Sequence, residues 1–458
     1  MRKKSPVTIG KLYDVEICDL SHDGLGMARI DGFLVFVKDA LPSERVVARI
    51  TQTKKNYAHA EAIDKIKRAT DRVKPPCPLF EACGGCQIQH MSYASQLEFK
   101  KSMVIRNMQK FAKIESPPVL DVIGMADPWR YRNKTQVPFG RSATGEMVAG
   151  FYKSRSHEII DMPSCHVQTE TADAIVATIK KLVCEFGIAP YNEGQHEGIL
   201  RHVVIRVGFK TDQIMVIFVT RTADLPHQKE LCQQLVDKFP TIQSIIHNVN
   251  SKATNVILGD VSRTVYGKAY ITDTLDGLEF LISARSFYQI NPVQTEILYQ
   301  MVVDYANISE DDVVIDAYCG IGTITLFLAR VAKSVYGVEI VPDAIRDAKE
   351  NARMNGLDHA IFEVGKSEVV IPRLIREGIV PDVIVVDPPR KGCDMALLEA
   401  IISAKPARVV YVSCDSATLA RDIKILEDGG YQMEVLQPVD MFPQTSHVEC
   451  VALMSREK

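Results

Sequence analysis

The chain has 458 residues, of which 46% are hydrophobic and 24% charged, with a formal net charge of −3. That length exceeds a single hydrophobic core and predicts about two to four domains of ordinary globular composition. The basic start MRKKSPVTIG leads into no apolar segment, and no run approaches the ~20 apolar residues of a membrane span, so a cytoplasmic protein without membrane contact is expected. Eleven cysteines in such a chain argue against a disulfide framework and for metal binding or chemistry.

Charge is unevenly placed. Residues 1–134 hold 23 Lys+Arg against 15 Asp+Glu, and the remainder holds 31 against 42. A basic front joined to an acidic rear fits a polyanion-binding region attached to something else. Residues 1–68 alternate short β-branched runs with Gly and Asp turns (VTIGKLYDVEI, DGLGMARIDGFLVFV, ERVVARITQT), predicting a small OB-like β-barrel. Lys54, Lys55, Lys65, Lys67, Arg68, Arg72 and Lys74 would form a basic rim suited to RNA.

PPCPLFEACGGCQIQH then sets Cys77, Cys83 and Cys86 on a Pro- and Gly-punctuated loop, and an amphipathic helix is predicted over 97–113. The α+β region 75–275 holds mixed strands and helices near 170–186 and 226–238, with no periodicity sharp enough to name its fold. Residues 276–458 become regular. Strands at 312–316, 335–339, 382–386 and 408–413 alternate with helices at 323–333, 342–355 and 416–428, and strand-like runs at 432–440 and 447–454 close the chain. This predicts an α/β doubly wound, Rossmann-like sheet ending in an antiparallel hairpin, the usual arrangement of S-adenosylmethionine methyltransferases.

VVIDAYCGIGTITL at 313–326 reads as strand, glycine turn and helix start. Gly320 and Gly322 let backbone approach a ligand, and Asp316 ends the strand where open α/β sheets bind. Glu339 ends the next strand 19 residues after Gly320, placed to accept hydrogen bonds from ribose hydroxyls. A nucleoside cofactor is expected, NAD or S-adenosylmethionine on these features alone. VDPPRKG at 386–392 is a rigid turn presenting Asp387 and Arg390 at the same sheet edge. Cys414, in VSCDSATLARD, lies before a helix start that would favour its thiolate, and Glu449 follows in FPQTSHVEC. Thiolate plus carboxylate is what methylation of uracil carbon 5 requires. Carbon 5 becomes nucleophilic only after a thiolate adds to carbon 6, and a base must then remove its proton.

DAYCGIGT, DPPRKG, SCDSATLARD, FPQTSHVE and SFYQINPVQTE (286–296) together resemble the motifs of the bacterial RNA uracil-5 methyltransferases. The resemblance implies cofactor contacts from Gln289, Tyr318, Glu339 and Asp387, with Cys414 as nucleophile and Glu449 as base. It implies a TRAM domain in the front barrel, S-adenosylmethionine as cofactor and 23S ribosomal RNA as substrate, with transfer RNA as the alternative. No DNA partner is expected and no oligomer is indicated. YRNK (131–134) and RHVVIR (201–206) resemble segments of the family's central domain. Ser416 departs from the proline common at that position, which would loosen the turn.

Cys77, Cys83, Cys86 and the distant Cys165 are the expected metal ligands. One Cys-x-x-Cys pair with two outliers leans from zinc towards iron–sulfur, and the resemblance implies a [4Fe–4S] cluster. A structural role is expected for it, because nothing in the sequence links these residues to Cys414. Two other readings cover parts of the chain. An iron–sulfur oxidoreductase would leave the nucleophile and DPPR motif without purpose, and an RNA-binding assembly factor would leave the catalytic motifs so.

Overall fold

The computed structural model describes residues 5–154 and 156–456. The front of the chain forms a six-stranded sheet: β1 (Leu12–Glu16), β2 (Asp19–Leu20), β3 (Gly26–Ile30), β4 (Phe33–Lys38), β5 (Arg45–Thr53) and β6 (Tyr57–Lys67), in the order β1-β5-β6-β4-β3-β2. Alternation does the folding. On β5, Val46, Ala48 and Ile50 point into one small core with Val35 and Val37 of β4 and Ala58 and Ala60 of β6, while their neighbours face outward. The expected basic rim is partly spent on structure. Arg72 pairs with Asp39 and the buried Glu44, and Lys65 pairs with Asp39. Lys54, Lys55, Lys67, Arg68 and Lys74 are exposed and, among the described residues, in no ion pair.

The cysteine loop leads into α1 (Tyr93–Asn107), whose cap Ser92 accepts a hydrogen bond from the Ser95 amide. A single wider turn, Met108–Ala112, ends this helix near the expected place. Next come β7 (Lys134–Arg141), β8 (Met147–Tyr152), β9 (Ile159–Asp161), α2 (Glu170–Glu185), β10 (Leu200–Val207), β11 (Ile214–Thr220), α3 (Gln228–Lys238), β12 (Ile242–Val249) and β13 (Val261–Gly267). These strands form one sheet in the order β13-β12-β11-β10-β7-β8-β9. Every residue of β11 is buried, because α2 and α3 cover one face and the rear of the chain covers the other. A hairpin, β14 (Tyr270–Leu275) and β15 (Leu278–Ser283), packs into the same core as the last sheet, so the predicted boundary at 275/276 falls at its turn.

The rear is α4 (Pro292–Ala306), β16 (Val313–Ala317), α5 (Thr323–Ala329), β17 (Ser334–Glu339), α6 (Pro342–Met354), β18 (Ala360–Val364), α7 (Ser367–Arg376), β19 (Val383–Val386), α8 (Met395–Ala404), β20 (Arg408–Ser413), α9 (Ser416–Asp428), β21 (Tyr431–Val439) and β22 (Glu449–Arg456). The sheet order is β18-β17-β16-β19-β20-β22-β21, parallel except for β22, which runs antiparallel to β20 and to β21. Strand order reverses between β16 and β19, and the crevice outside their carboxyl ends is where such sheets bind ligands. Among the described residues, no helix is long and apolar enough to cross a membrane.

Candidate active site

A cavity of about 710 Å³ opens at that crevice, lined among others by Gln289, Tyr318, Gly320, Glu339, Asp387, Cys414 and Glu449. The turn after β16 shapes one wall. Gly320 and Gly322 take positive φ of 56° and 84°, and so does Tyr318 at 71°, a conformation that costs a non-glycine residue about 1 kcal/mol or more. It is held there by the Tyr318 and Cys319 amides, which both donate to the Val338 carbonyl. Glu339 stands opposite, its carboxylate accepting from the Val341 amide. Asp387 leaves β19 on the other side of the crevice.

Two predicted cofactor residues lie behind this wall. Asp316 is fully buried, accepts from the Thr325 hydroxyl at 2.5 Å, and lines a smaller space beneath the turn. Burial pushes its carboxyl up to about 7. Gly322 caps α5, where an added Cβ would meet the Phe362 ring at 3.1 Å. Its absence of a side chain serves packing of the turn rather than the cavity surface.

Cys414 follows the end of β20 and stands immediately before Asp415, which caps α9 by accepting from the Ala417 and Thr418 amides. The expected helix start is therefore present, but the expected thiolate is not favoured. Burial and the nearby Glu449 and Asp387 carboxyls push the thiol up to about 12, against the opposing pull of Arg390. Ser416 does not loosen the turn. It is buried, and its hydroxyl accepts from the Asn107 amide nitrogen at 2.8 Å, tying α9 to the end of α1. Cys319 and Cys393 are buried in packing, as expected.

Glu449 begins β22 and is 3% exposed. Burial and Asp387 raise its carboxyl to about 8, against Arg390. Asp387 is itself raised to about 7 by burial. The cavity thus crowds two protonatable carboxyls and a thiol beside Arg390, an arrangement ready to accept positive charge. Phe287 and His447 lie within the quoted motifs but were given no role, and Ile340 follows Glu339; all three line the same space. Phe287 and Ile340 are 62% and 56% exposed, and large apolar side chains left open at a cavity mouth are the available signal.

The loop between β21 and Glu449 is fixed from outside the sheet. Gln444, at φ 70°, accepts through its carbonyl from the Gln87 and Ile88 amides, and exchanges two hydrogen bonds with the Gln96 side chain. Tyr131 donates to the Pro443 carbonyl and Asn291 to that of Met441.

The four predicted metal ligands converge only in part. Cys77, Cys83 and Cys165 line a small apolar space with Ile160 and Met162, and Cys86 is pushed up to about 12 by burial and by the other three thiols. Among the described residues, however, no three His, Cys, Asp or Glu side chains stand in a metal-holding arrangement. The four expected ligands are thus half-buried thiols grouped around the loop, without a metal-holding arrangement among the described residues.

Comparison with known proteins agrees with this anatomy. The TRAM domain model matches residues 6–63, the tRNA (Uracil-5-)-methyltransferase model residues 377–457, and the TRM5/TYW2 methyltransferase domain model residues 300–410. An uncharacterized RNA methyltransferase of Halalkalibacterium halodurans is 51% identical over 99% of both chains. Another, of Clostridium acetobutylicum, is 48% identical over 100% of this chain and 99% of its own. The crystal structure of Pyrococcus abyssi tRNA (uracil-54, C5)-methyltransferase with S-adenosyl-L-homocysteine superposes with a TM-score of 0.78, at 29% identity over 96% of this chain and 100% of that one. The chain belongs to the S-adenosylmethionine-dependent RNA methyltransferases, in the uracil-5 family.

Proposed function

We propose that the protein methylates carbon 5 of a uridine in 23S ribosomal RNA, with Cys414 as nucleophile and Glu449 as base. The observation that carries this reading is one cavity lined by Cys414, Glu449 and Asp387 together with Gln289, Tyr318 and Glu339. S-adenosylmethionine fits this cavity. Its ribose would be held by Glu339, and its amino acid end would lie among Gln289, Tyr318 and Asp387. When bound it supplies the methyl group and a positive sulfonium, which the crowded carboxyls favour.

Cys414 adds through sulfur to carbon 6 of the uracil, and the ring electrons move onto the carbon 4 oxygen as an enolate. Carbon 5 would then form its bond to the methyl carbon as the sulfonium's bond to that carbon breaks, the sulfur leaving as a neutral thioether. Glu449, ionised at that stage, removes the carbon 5 proton; the electron pair restores the 5,6 double bond and expels the Cys414 thiolate. A carboxyl raised to about 8 suits this step, because burial makes its anion a stronger base than an exposed glutamate. The uridine must be unpaired or flipped out to reach the cavity. Cys77, Cys83, Cys86 and Cys165 are proposed to hold a [4Fe–4S] cluster as a structural clasp, their thiols drawing together on binding. Iron and sulfide analysis of anaerobically purified protein tests this.

Ribosomal RNA is favoured by the family resemblance of the TRAM domain joined to a cysteine loop. Transfer RNA is the second reading, favoured by the likeness to the Pyrococcus abyssi enzyme. Methyl-labelled S-adenosylmethionine incubated with unmodified total RNA separates them by nucleoside analysis. Label in 5-methyluridine from large ribosomal RNA supports the proposal. Label in transfer RNA keeps the chemistry and replaces the substrate.

A further inference from the structure

A second cavity, of about 560 Å³, lies between the TRAM barrel and the cysteine loop, and the reaction described above does not use it. Phe36 on β4 and His59 on β6 are paired across strands on the outer face of the barrel, flanked by Val35, Val37, Ala58 and Ala60 facing the core. Their rings are 5.7 Å apart and inclined by 33°, and both line the cavity. Phe80 and His90, from the cysteine loop, line it as well, with rings 5.3 Å apart. Aromatic surface on an outer barrel face, half-buried under a loop, is therefore exposed to a shared space from two sides.

Two of its polar side chains hold buried atoms without hydrogen-bond partners among the described residues. His90 is 2% exposed, and neither ring nitrogen has a hydrogen-bond partner among the described residues. The buried Gln87 side-chain oxygen is likewise unpartnered. A buried polar group left unpaired costs about 1–3 kcal/mol, so a ligand that supplies both a donor and an acceptor would be favoured here. Charge indicates which ligand. Asp23, Asp39, Glu61 and Glu81 line the cavity against two cations, Lys38 and Arg72, and Arg72 is already committed to Asp39 and Glu44. A phosphate would meet more carboxylates than cations; a neutral, flat, hydrogen-bonding ring would not carry that cost.

We propose that this cavity receives an unstacked base of the RNA substrate, a second nucleotide distinct from the target uridine, stacked on the aromatic wall and hydrogen-bonded by His90 and Gln87. The inference rests on the RNA methyltransferase reading and adds a base-recognition subsite to it. The subsite is wired to the active site. Gln87 faces the cavity with its side chain and donates through its backbone to Gln444, in the loop that leads to Glu449. Occupancy of the cavity therefore braces the segment bearing the proposed base, so that RNA lacking the second base is held less firmly for reaction.

The test uses full-length protein and a ribosomal RNA fragment that the wild-type protein methylates. Abasic sites are introduced one at a time on either side of the target uridine. One position is expected to raise the wild-type KM for RNA about tenfold, the usual scale of one base–aromatic stack. That same position should change the KM of Phe36→Ala less than about twofold, since its stack is already lost. Phe36 lies outside the barrel core, and unchanged S-adenosylmethionine binding verifies folding; Gln87→Ala provides an independent second variant. Full additivity of every abasic site with both variants would overturn the proposal. Failure of the wild-type protein to methylate any RNA would instead overturn the activity on which it rests.

Discussion

Lys100 on α1 and Asp440, just beyond β21, meet at 2.5 Å in an ion pair in which neither side chain is exposed. Tyr93 donates to the other Asp440 oxygen, and Lys100 also reaches the Phe442 carbonyl. The loop that delivers Glu449 to the cavity is thereby anchored to a helix more than three hundred positions earlier in the chain. Burial lowers the Lys100 ammonium, and Asp440 opposes that effect, so the pair survives through mutual compensation.

Removing one partner should leave a buried charge. Lys100→Met is expected to destabilise the protein by about 3–5 kcal/mol in urea unfolding. Lys100→Met/Asp440→Asn should recover at least ~1 kcal/mol of that loss, because no ion remains uncompensated. A double variant less stable than the single one would show that the charge pair is not what holds the loop.

Glu449 gives a stability prediction with a definite sign. Its folded carboxyl is raised to about 8 from an ordinary 4.5, so the folded state retains a proton that the unfolded chain has lost between those values. Stability from this group is full below the unfolded value and is lost as pH rises through the folded one. Glu449→Gln should therefore be more stable than wild type at about pH 9, by on the order of 2–4 kcal/mol, with the difference shrinking towards about pH 5. Thermal unfolding across that range measures it, and a constant difference would contradict the burial account.

Cys414 gives the kinetic counterpart. Because its thiol is raised to about 12, the thiolate is scarce at neutral pH. Single-turnover adduct formation should accelerate with pH from about 6 to 9, since the reacting form is the anion. Cys414→Ala should abolish turnover while RNA affinity changes less than about twofold, because the nucleophile contributes little to holding phosphates. A flat pH profile would mean that cofactor or RNA binding has already removed the proton.

Much of the rear half was legible because most of its parallel strands are followed by a helix, and the observed ends of α9 and β20 coincide with those expected, whereas α4, β18, α7 and α8 went unread. In the middle, α2 and α3 stand where helices were expected, but the sheet could not be named, since β11 is buried on both faces and carries no alternation. At the site, Asp387, Cys414 and Glu449 were legible from the chemistry they suggest. The direction of the Cys414 shift was not, because it depends on Glu449 and Asp387 being brought beside it by different strands. Nor could the Lys100–Asp440 pair be read, as nothing in either local sequence specifies a contact at that separation.

The most direct test of the central claim is denaturing gel analysis of Glu449→Gln incubated with S-adenosylmethionine and substrate RNA. Addition and methyl transfer precede proton removal, so a covalent protein–RNA complex carrying the methyl label should accumulate, with the linkage mapped to Cys414. Free 5-methyluridine released at the wild-type rate, or an adduct mapped elsewhere, would contradict the assignment of Glu449 and Cys414.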